Sequence, residues 1–212
     1  MAAKRVIFIE PAANKANVFE DYMRLPLMGS LYLGTILHER GYEVRILNEN
    51  ILGRAIDPYE TQADVFCLTA LTSSASRARY LAAQLKRIYP AAAVLVGGIH
   101  ASLVPEDFVD VADHVVAGEA EDLIVDLVAG RLEGKIIPGR KVEDLSQLPL
   151  VRYDLLEGFE TLDIIPVMTS RGCPFNCSFC TVTKVFGRRF RVLSPQRVLA
   201  EIENALRYFR TS

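Results

Sequence analysis

Along the chain, short continuous apolar runs alternate with apolar residues at helical spacing. The first run, "KRVIFIE" from Lys4 to Glu10, is apolar without alternation, which suits a strand buried on both faces. Leu27, Met28, Leu31, Ile36 and Leu37 then recur near helical spacing and predict a helix over 27–40, with Gly41 placed to end it. Between the two lies "PAANKANVFEDYMRLP", long for a strand-to-helix connection, and long loops are often functional. "YEVRILN" predicts a second strand and "ADVFCLTAL", Ala63 to Leu71, a third. "TSSASRARYLAAQLKRIYP" starts polar, with Ser73 or Ser74 as its cap, and becomes a helix reaching Tyr89. "AAVLVGG" gives a fourth strand ending on Gly97-Gly98, Val115 to Ala117 a short fifth, and residues 121–131 a further helix. Strands alternating with helices in this way predict an α/β fold: a doubly wound, five-stranded parallel sheet covered by helices on both faces.

The pattern weakens after residue 133. "GKIIPGRKVEDLSQLPLVRYDLLEGF" mixes prolines and glycines with little periodicity and reads as a linker over 134–160. "TLDIIPVMTSRG" predicts a new strand, followed at once by a cysteine loop. A last helix over 195–210 has Ser194 at its N-cap, Pro195 in its first turn, and an apolar stripe of Val198, Ile202, Ala205, Leu206 and Phe209. The expected organisation is a first domain over 1–133, the linker, and the start of a second domain over 161–212. A single strand–helix unit cannot bury its own faces, so it packs on the first domain or needs further elements.

Charge and composition narrow the function classes. The chain has 212 residues, with 24 Lys and Arg against 26 Asp and Glu, so a net charge of −2 argues against bulk nucleic-acid or membrane-surface binding. The early run "VIFI" is too short for a signal peptide or a membrane span, which predicts a cytoplasmic protein without stable membrane insertion. In a reducing compartment, clustered cysteines are more often metal ligands or catalytic groups than disulfides. Three of the four cysteines fall in "SRGCPFNCSFC", spaced Cys173-x3-Cys177-x2-Cys180, whereas Cys67 stands alone in a strand and reads as a small buried hydrophobe. Three soft thiolates suit an iron–sulfur cluster or zinc, and three ligands leave one position open on the metal centre.

"RGCPFNCSFC" resembles the cluster motif of the radical S-adenosylmethionine enzymes, and it follows a strand, as in the first strand–helix unit of their partial TIM-type barrel. The resemblance implies a [4Fe–4S] cluster on Cys173, Cys177 and Cys180. It implies S-adenosylmethionine on the open iron, Phe179 near the adenine, and an electron donor such as flavodoxin or ferredoxin. The later strand–helix units of that domain are absent from the sequence, which reads as a fragment of a longer protein.

The strand ends before it, "TALTSSASRA", "GGIHASLVPE" and "AGEAEDL", are rich in small residues, and no GxGxxG or GxxxxGK[ST] occurs to suggest a dinucleotide or nucleoside triphosphate. Their order resembles the Rossmann-like cobalamin-binding domain that precedes many radical S-adenosylmethionine domains. That resemblance implies cobalamin, with Leu71, Thr72, Ser73 and Ser74 after the third strand lining the corrin or its nucleotide tail. Gly97, Gly98, Ile99 and His100 after the fourth strand, and Gly118 and Glu119 after the fifth, would line it too. The DxHxxG motif of other cobalamin proteins is missing. His100 reads first as a loop residue bonding its neighbours, His38 as a favourable charge near a helix end, and Met23 and Met28 as fillers. Glu119, Glu121 and Asp122 read as the start of the next helix, and "KVFGRRFR", Lys184 to Arg191, as a solvated basic loop. No catalytic side chain is discernible. The implied activity is radical methylation, or oxidative cyclisation or rearrangement, of a small-molecule substrate. The other class is a non-catalytic cobalamin- or small-ligand-binding module whose cysteine loop is inactive or holds zinc.

Overall fold

A computed structural model of the chain describes residues 3–13 and 24–209. The elements run β1 (Arg5–Glu10), α1 (Met28–Glu39), β2 (Glu43–Asn48), α2 (Glu49–Leu52), β3 (Val65–Thr69), α3 (Ala75–Ile88), β4 (Ala93–Gly97), α4 (Ile99–Leu103), β5 (His114–Ala117), α5 (Ile124–Ala129) and β6 (Ile136–Pro138). All six strands are parallel, in the order β2-β1-β3-β4-β5-β6. Most of the loop between β1 and α1, with Met23, lies outside the described residues.

Strand alternation divides the core into two layers. Phe8, Cys67, Leu95 and Val116 face one way, onto Leu31 of α1 and Ile124 and Leu127 of α5. Ile7, Ile9, Phe66, Leu68 and Val96 face the other way, onto Ala78, Leu81 and Leu85 of α3. The sheet is therefore buried on both faces, which is why its strands are apolar without a gap. From β1 the chain runs outward to β2, then crosses to β3 on the other side. That reversal opens a crevice at the carboxyl ends of β1 and β3, where such sheets bind ligands.

Two expectations change. Residues 134–160 are not a plain linker: β6 extends the sheet, and Val142, Leu145, Leu148, Val151, Tyr153, Leu155 and Leu156 are buried in the α1/α5-side core. This belt turns through single-turn 3-10 segments at Leu145–Gln147 and Tyr153–Leu155, too short to leave a hydrophobic period in the sequence. The strand expected over 161–172 shrinks to β7 (Ser170–Arg171), paired antiparallel with β8 (Arg191–Val192). Pro166 lacks an N–H for a ladder, and no other strand pairs with β7 among the described residues. The first strand–helix unit of a barrel is thus not formed as expected.

Between β7 and β8 lies α6 (Val182–Val185), and α7 (Pro195–Phe209) follows. The Arg197 N–H donates to Ser194 Oγ at 3.2 Å, the cap read from the sequence. The carboxy-terminal unit shares the first domain's core through Leu193 and Ala205. Tyr208 and Phe209 meet Tyr153 and Phe159 edge-on, at ring-centroid distances from 5.7 to 6.1 Å. The inward row of α7 also differs from the expected stripe: Glu201 is buried and Ile202 exposed. Glu201 is tolerated inside because Arg197 and the Tyr32 hydroxyl donate to it, at 2.7 and 3.3 Å. Among the described residues, no helix is long and apolar enough to cross a membrane.

Candidate functional site

A cavity of about 490 Å³ opens at the crevice. Its floor is Phe8, Cys67, Leu95 and Val116 from the sheet; its sides are Met28 to Ser30 and Leu33 of α1, and Ile124 and Leu127 of α5. Ends of β3 and β4, through Thr69, Leu71, Gly97 and Gly98, form the rim. The far wall belongs to the carboxy-terminal unit: Met168, Arg171, Gly172, Val182 and Phe186. The space is a mainly apolar slot between a sheet and two helices, closed by the segment that carries the cysteines. Such a slot takes a flat, largely apolar group.

Small residues build the rim for distinct reasons. Gly98 has φ of 96°, and a Cβ there would lie 2.7 Å from the Ala70 carbonyl oxygen. Only glycine lets the chain leave β4 so close to the exit of β3. Gly98→Ala is expected to cost about 2 kcal/mol and to lower the denaturant midpoint at constant slope; an unchanged midpoint would show that the rim relaxes freely. Ser102 ties the exits of β4 and β5 together. Its hydroxyl donates to Gly98 O at 2.8 Å and accepts from the Gly118 N–H at 2.9 Å.

Beside the slot lies a buried charge cluster. Glu119 accepts both terminal nitrogens of Arg191, the Val142 N–H at 3.1 Å, and Arg171 Nη1 at 3.1 Å. Arg171 also pairs with Glu121 at 2.6 Å, and its guanidinium carbon sits 5.7 Å from the centre of the Tyr32 ring. Burial works against ionisation of Glu119, but the Arg191 hydrogen bonds, the Val142 N–H and the two guanidinium charges outweigh it, so its carboxyl is held below the ordinary range. Arg191 Nη1 and Nη2 also donate to Val142 O at 2.6 Å and Phe186 O at 3.1 Å, leaving only its Nε unpartnered. The sequence reading is corrected here: Glu119 and Glu121 do not begin a helix, since α5 starts at Ile124, and Arg191 is no solvated loop residue.

Of the residues singled out at the strand ends, Leu71, Gly97, Gly98, Ile99, Gly118 and Glu119 line the cavity, whereas Thr72, Ser73, Ser74 and His100 do not. Ser74 Oγ instead accepts from the Leu71 N–H at 3.3 Å, shaping the turn into α3. His100 faces away from the slot. Its Nδ1 lies 3.3 Å from Thr72 Oγ1, its Nε2 2.9 Å from Asp107 Oδ2, and its ring packs edge-on against Phe108. Phe179 is 88% exposed and does not line this cavity. All four cysteines are free, Cys177 being exposed and Cys173 and Cys180 half-buried. Among the described residues, no three His, Cys, Asp or Glu side chains are gathered closely enough to hold a metal ion. The loop thus carries the thiols without presenting them as one ligand set. Ser102, Met168, Arg171 and Phe186 were not legible as wall residues; only the nearness of Arg171 to Cys173 hinted at the site.

The B12 binding domain family matches residues 15–128, more than half of the chain. The bacteriochlorophyllide d C-8(2)-methyltransferase of Chlorobaculum tepidum is 32% identical over 71% of this chain and 35% of its own length. An uncharacterized methyltransferase of Pyrococcus horikoshii is 30% identical over 84% of the chain and 45% of its own length. The anaerobic magnesium-protoporphyrin IX monomethyl ester cyclase of Cereibacter sphaeroides is 30% identical over 68% of the chain and 28% of its own length. The chain spans less than half the length of these relatives.

Proposed function

The chain belongs to the B12-binding domain family, and from that premise we propose that its slot holds cobalamin within a larger radical S-adenosylmethionine enzyme that transfers a methyl group or closes a ring. The observation that carries the proposal is the slot itself: its floor is the sheet of the matched domain, and its far wall is the unit bearing Cys173, Cys177 and Cys180. Relatives that include methyltransferases and a cyclase support the reaction class.

The residues present fit both groups in chemistry. An apolar slot edged by Gly97, Gly98 and Ser102 suits a flat heteroaromatic base with polar substituents at its mouth. Three free thiols within one short loop are the soft donors an iron–sulfur cluster takes. When bound, cobalamin supplies a methyl group on cobalt, and the cluster with S-adenosylmethionine supplies the radical that activates an unreactive carbon. The chain's own part is to bind and exclude water. Phe8, Leu95 and Leu127 desolvate the deep end of the slot, Met168 and Phe186 close it, and the backbone at Gly97–Gly98 permits close approach. His100 is committed to Thr72 and Asp107, so the slot offers cobalt no imidazole from that residue. A small-molecule substrate and a one-electron donor such as flavodoxin or ferredoxin complete the proposal.

The test is to titrate the chain with hydroxocobalamin, desalt it, and record the visible spectrum. Stoichiometric retention is expected, and it should survive replacement of the three loop cysteines by alanine. Gly97→Leu should abolish it. Gly97 follows Leu95 on the slot face, and its added Cβ would meet nothing nearer than Val116 at 4.0 Å, so the larger side chain fills the slot rather than the core. A folded parent chain that retains no cobalamin would overturn the proposal.

A further inference from the structure

Four charged side chains are taken out of water where the two parts of the chain meet. Two come from the turn after β5, Glu119 and Glu121; two flank the cysteine loop, Arg171 on β7 and Arg191 on β8. Their side chains are between 2% and 9% exposed. The charges balance, and every carboxylate meets a guanidinium. Replacing a buried ion network by apolar groups of like volume is often neutral or stabilising, so stability alone is a poor reason for having one. What such a network does well is fix register. Apolar surfaces slide at little cost, whereas a guanidinium fork on two carboxylates tolerates one arrangement.

Register is what this junction needs. Arg171 lies two residues before Cys173, and Arg191 closes the far end of the same excursion. Both strands also touch the slot: Arg171 lines it directly, and Arg191 donates to the carbonyl of Phe186, another wall residue. The main-chain N–H of Cys173 is held by Gly187 O at 3.2 Å within the same unit.

We propose that the Glu119–Glu121–Arg171–Arg191 cluster is a latch that positions the cysteine loop against the slot, so that filling the slot and holding the loop closed favour one another. The latch itself rests on the contacts above; its coupling to a ligand rests on the cobalamin reading. Arg191 and Arg171 are positioning residues in this account. Coupling is reciprocal, so a ligand that needs the closed wall must also hold that wall shut.

Alkylation of individual cysteines by iodoacetamide, followed by peptide mass spectrometry, reads the latch without any cofactor. Cys173 reports the loop. Amide hydrogen exchange of α3, which packs on the sheet face away from the slot, reports global unfolding in the same samples. Two variants are used, neither of which strands a buried charge, because deleting a single charge here is strongly destabilising. Glu121→Leu with Arg171→Met removes one pair without leaving a charge behind, and keeps Glu119 on Arg191. Arg191→Lys keeps the charge, lies outside the slot wall, and loses the fork. In both variants Cys173 is expected to react about tenfold faster or more, within the usual 5–150-fold range of such couplings, with exchange in α3 unchanged. Cyanocobalamin, chosen because its cobalt is already capped against thiols, should slow Cys173 in the parent chain. In Arg191→Lys it should still bind, five- to tenfold more weakly, and protect Cys173 less. Unchanged Cys173 rates in both variants, or α3 exchange rising in step with Cys173, would overturn the latch. Equal protection in parent and Arg191→Lys would overturn the coupling. A parent chain that binds no cyanocobalamin would overturn the cofactor reading and the coupling, while the ligand-free rates still decide the latch.

Discussion

Arg191→Met is expected to destabilise the chain by about 3–5 kcal/mol at neutral pH, the usual cost of removing one partner from a buried ion pair. Besides the Val142 N–H, Glu119 would keep only Arg171, which it shares with Glu121, so two carboxylates would face one guanidinium in a site closed to water. The pH dependence separates this from loss of packing. In the parent, the folded pKa of Glu119 lies below its unfolded value. Its contribution is therefore fully present above the unfolded value and is lost as pH falls through the folded one. Without Arg191 the dominant remaining influence is burial, which raises the pKa, so the deficit of the variant should shrink on acidification. Replacing Glu119 and Arg191 together by methionine should cost far less than the single change, because no charge is stranded. Denaturant unfolding of the three chains at pH about 5 and about 8 checks this. A single variant within about 1 kcal/mol of the parent would mean that water reaches the cluster.

This cluster also marks where the sequence stops being legible. The strands could be read because each is apolar on both faces, and "VIFI" or "VFCL" has few other uses in a soluble chain. The cysteine loop stood out in the sequence because its spacing is local, although among the described residues the three thiols are not gathered into one ligand set. The Glu119–Arg191 pair joins positions 72 apart in sequence, and no local pattern announces such a partner. "GEAED" before a helix looks like ordinary first-turn acidity, and "GRRFR" like solvated charge; burial alone gives them another meaning. Residues 134–160 failed for a different reason. Their apolar groups are held by isolated 3-10 turns, and a single turn has no period to detect. His100 shows the converse case, in which a residue suggestive by type is explained by its neighbours once Thr72 and Asp107 are in view.

Glu10→Gln is expected to flatten the pH dependence of stability near neutrality. Glu10 ends β1 at the crevice and is 3% exposed. Burial pushes its carboxyl from an ordinary 4.5 up to about 7, against hydrogen bonds from Asn48, Ser30 and the Leu27 N–H that favour the charged form. The folded chain therefore holds a proton that the unfolded chain releases near 4.5. Between those values the native state binds more protons, so stability falls as pH rises and levels off above the folded pKa. At about 1.4 kcal/mol per pKa unit, the loss across the window is about 3 kcal/mol. A glutamine cannot ionise, so the variant should gain about that much relative to the parent between pH about 4 and about 8. The same proton bears on the slot. Glu10 accepts from the Leu27 N–H at 3.2 Å, and Leu27, Met28 and Ser30 form one side of the cavity. Ionisation strengthens the bond to that helix start but leaves a buried charge at the crevice, which opening of the wall to water relieves, so cobalamin retention in the parent should weaken through pH about 7 and stay level in the variant. Unfolding midpoints of parent and variant that run parallel across the window would show that Glu10 reaches solvent and ionises at its ordinary pH, and the link between the end of β1 and the slot would fall with it.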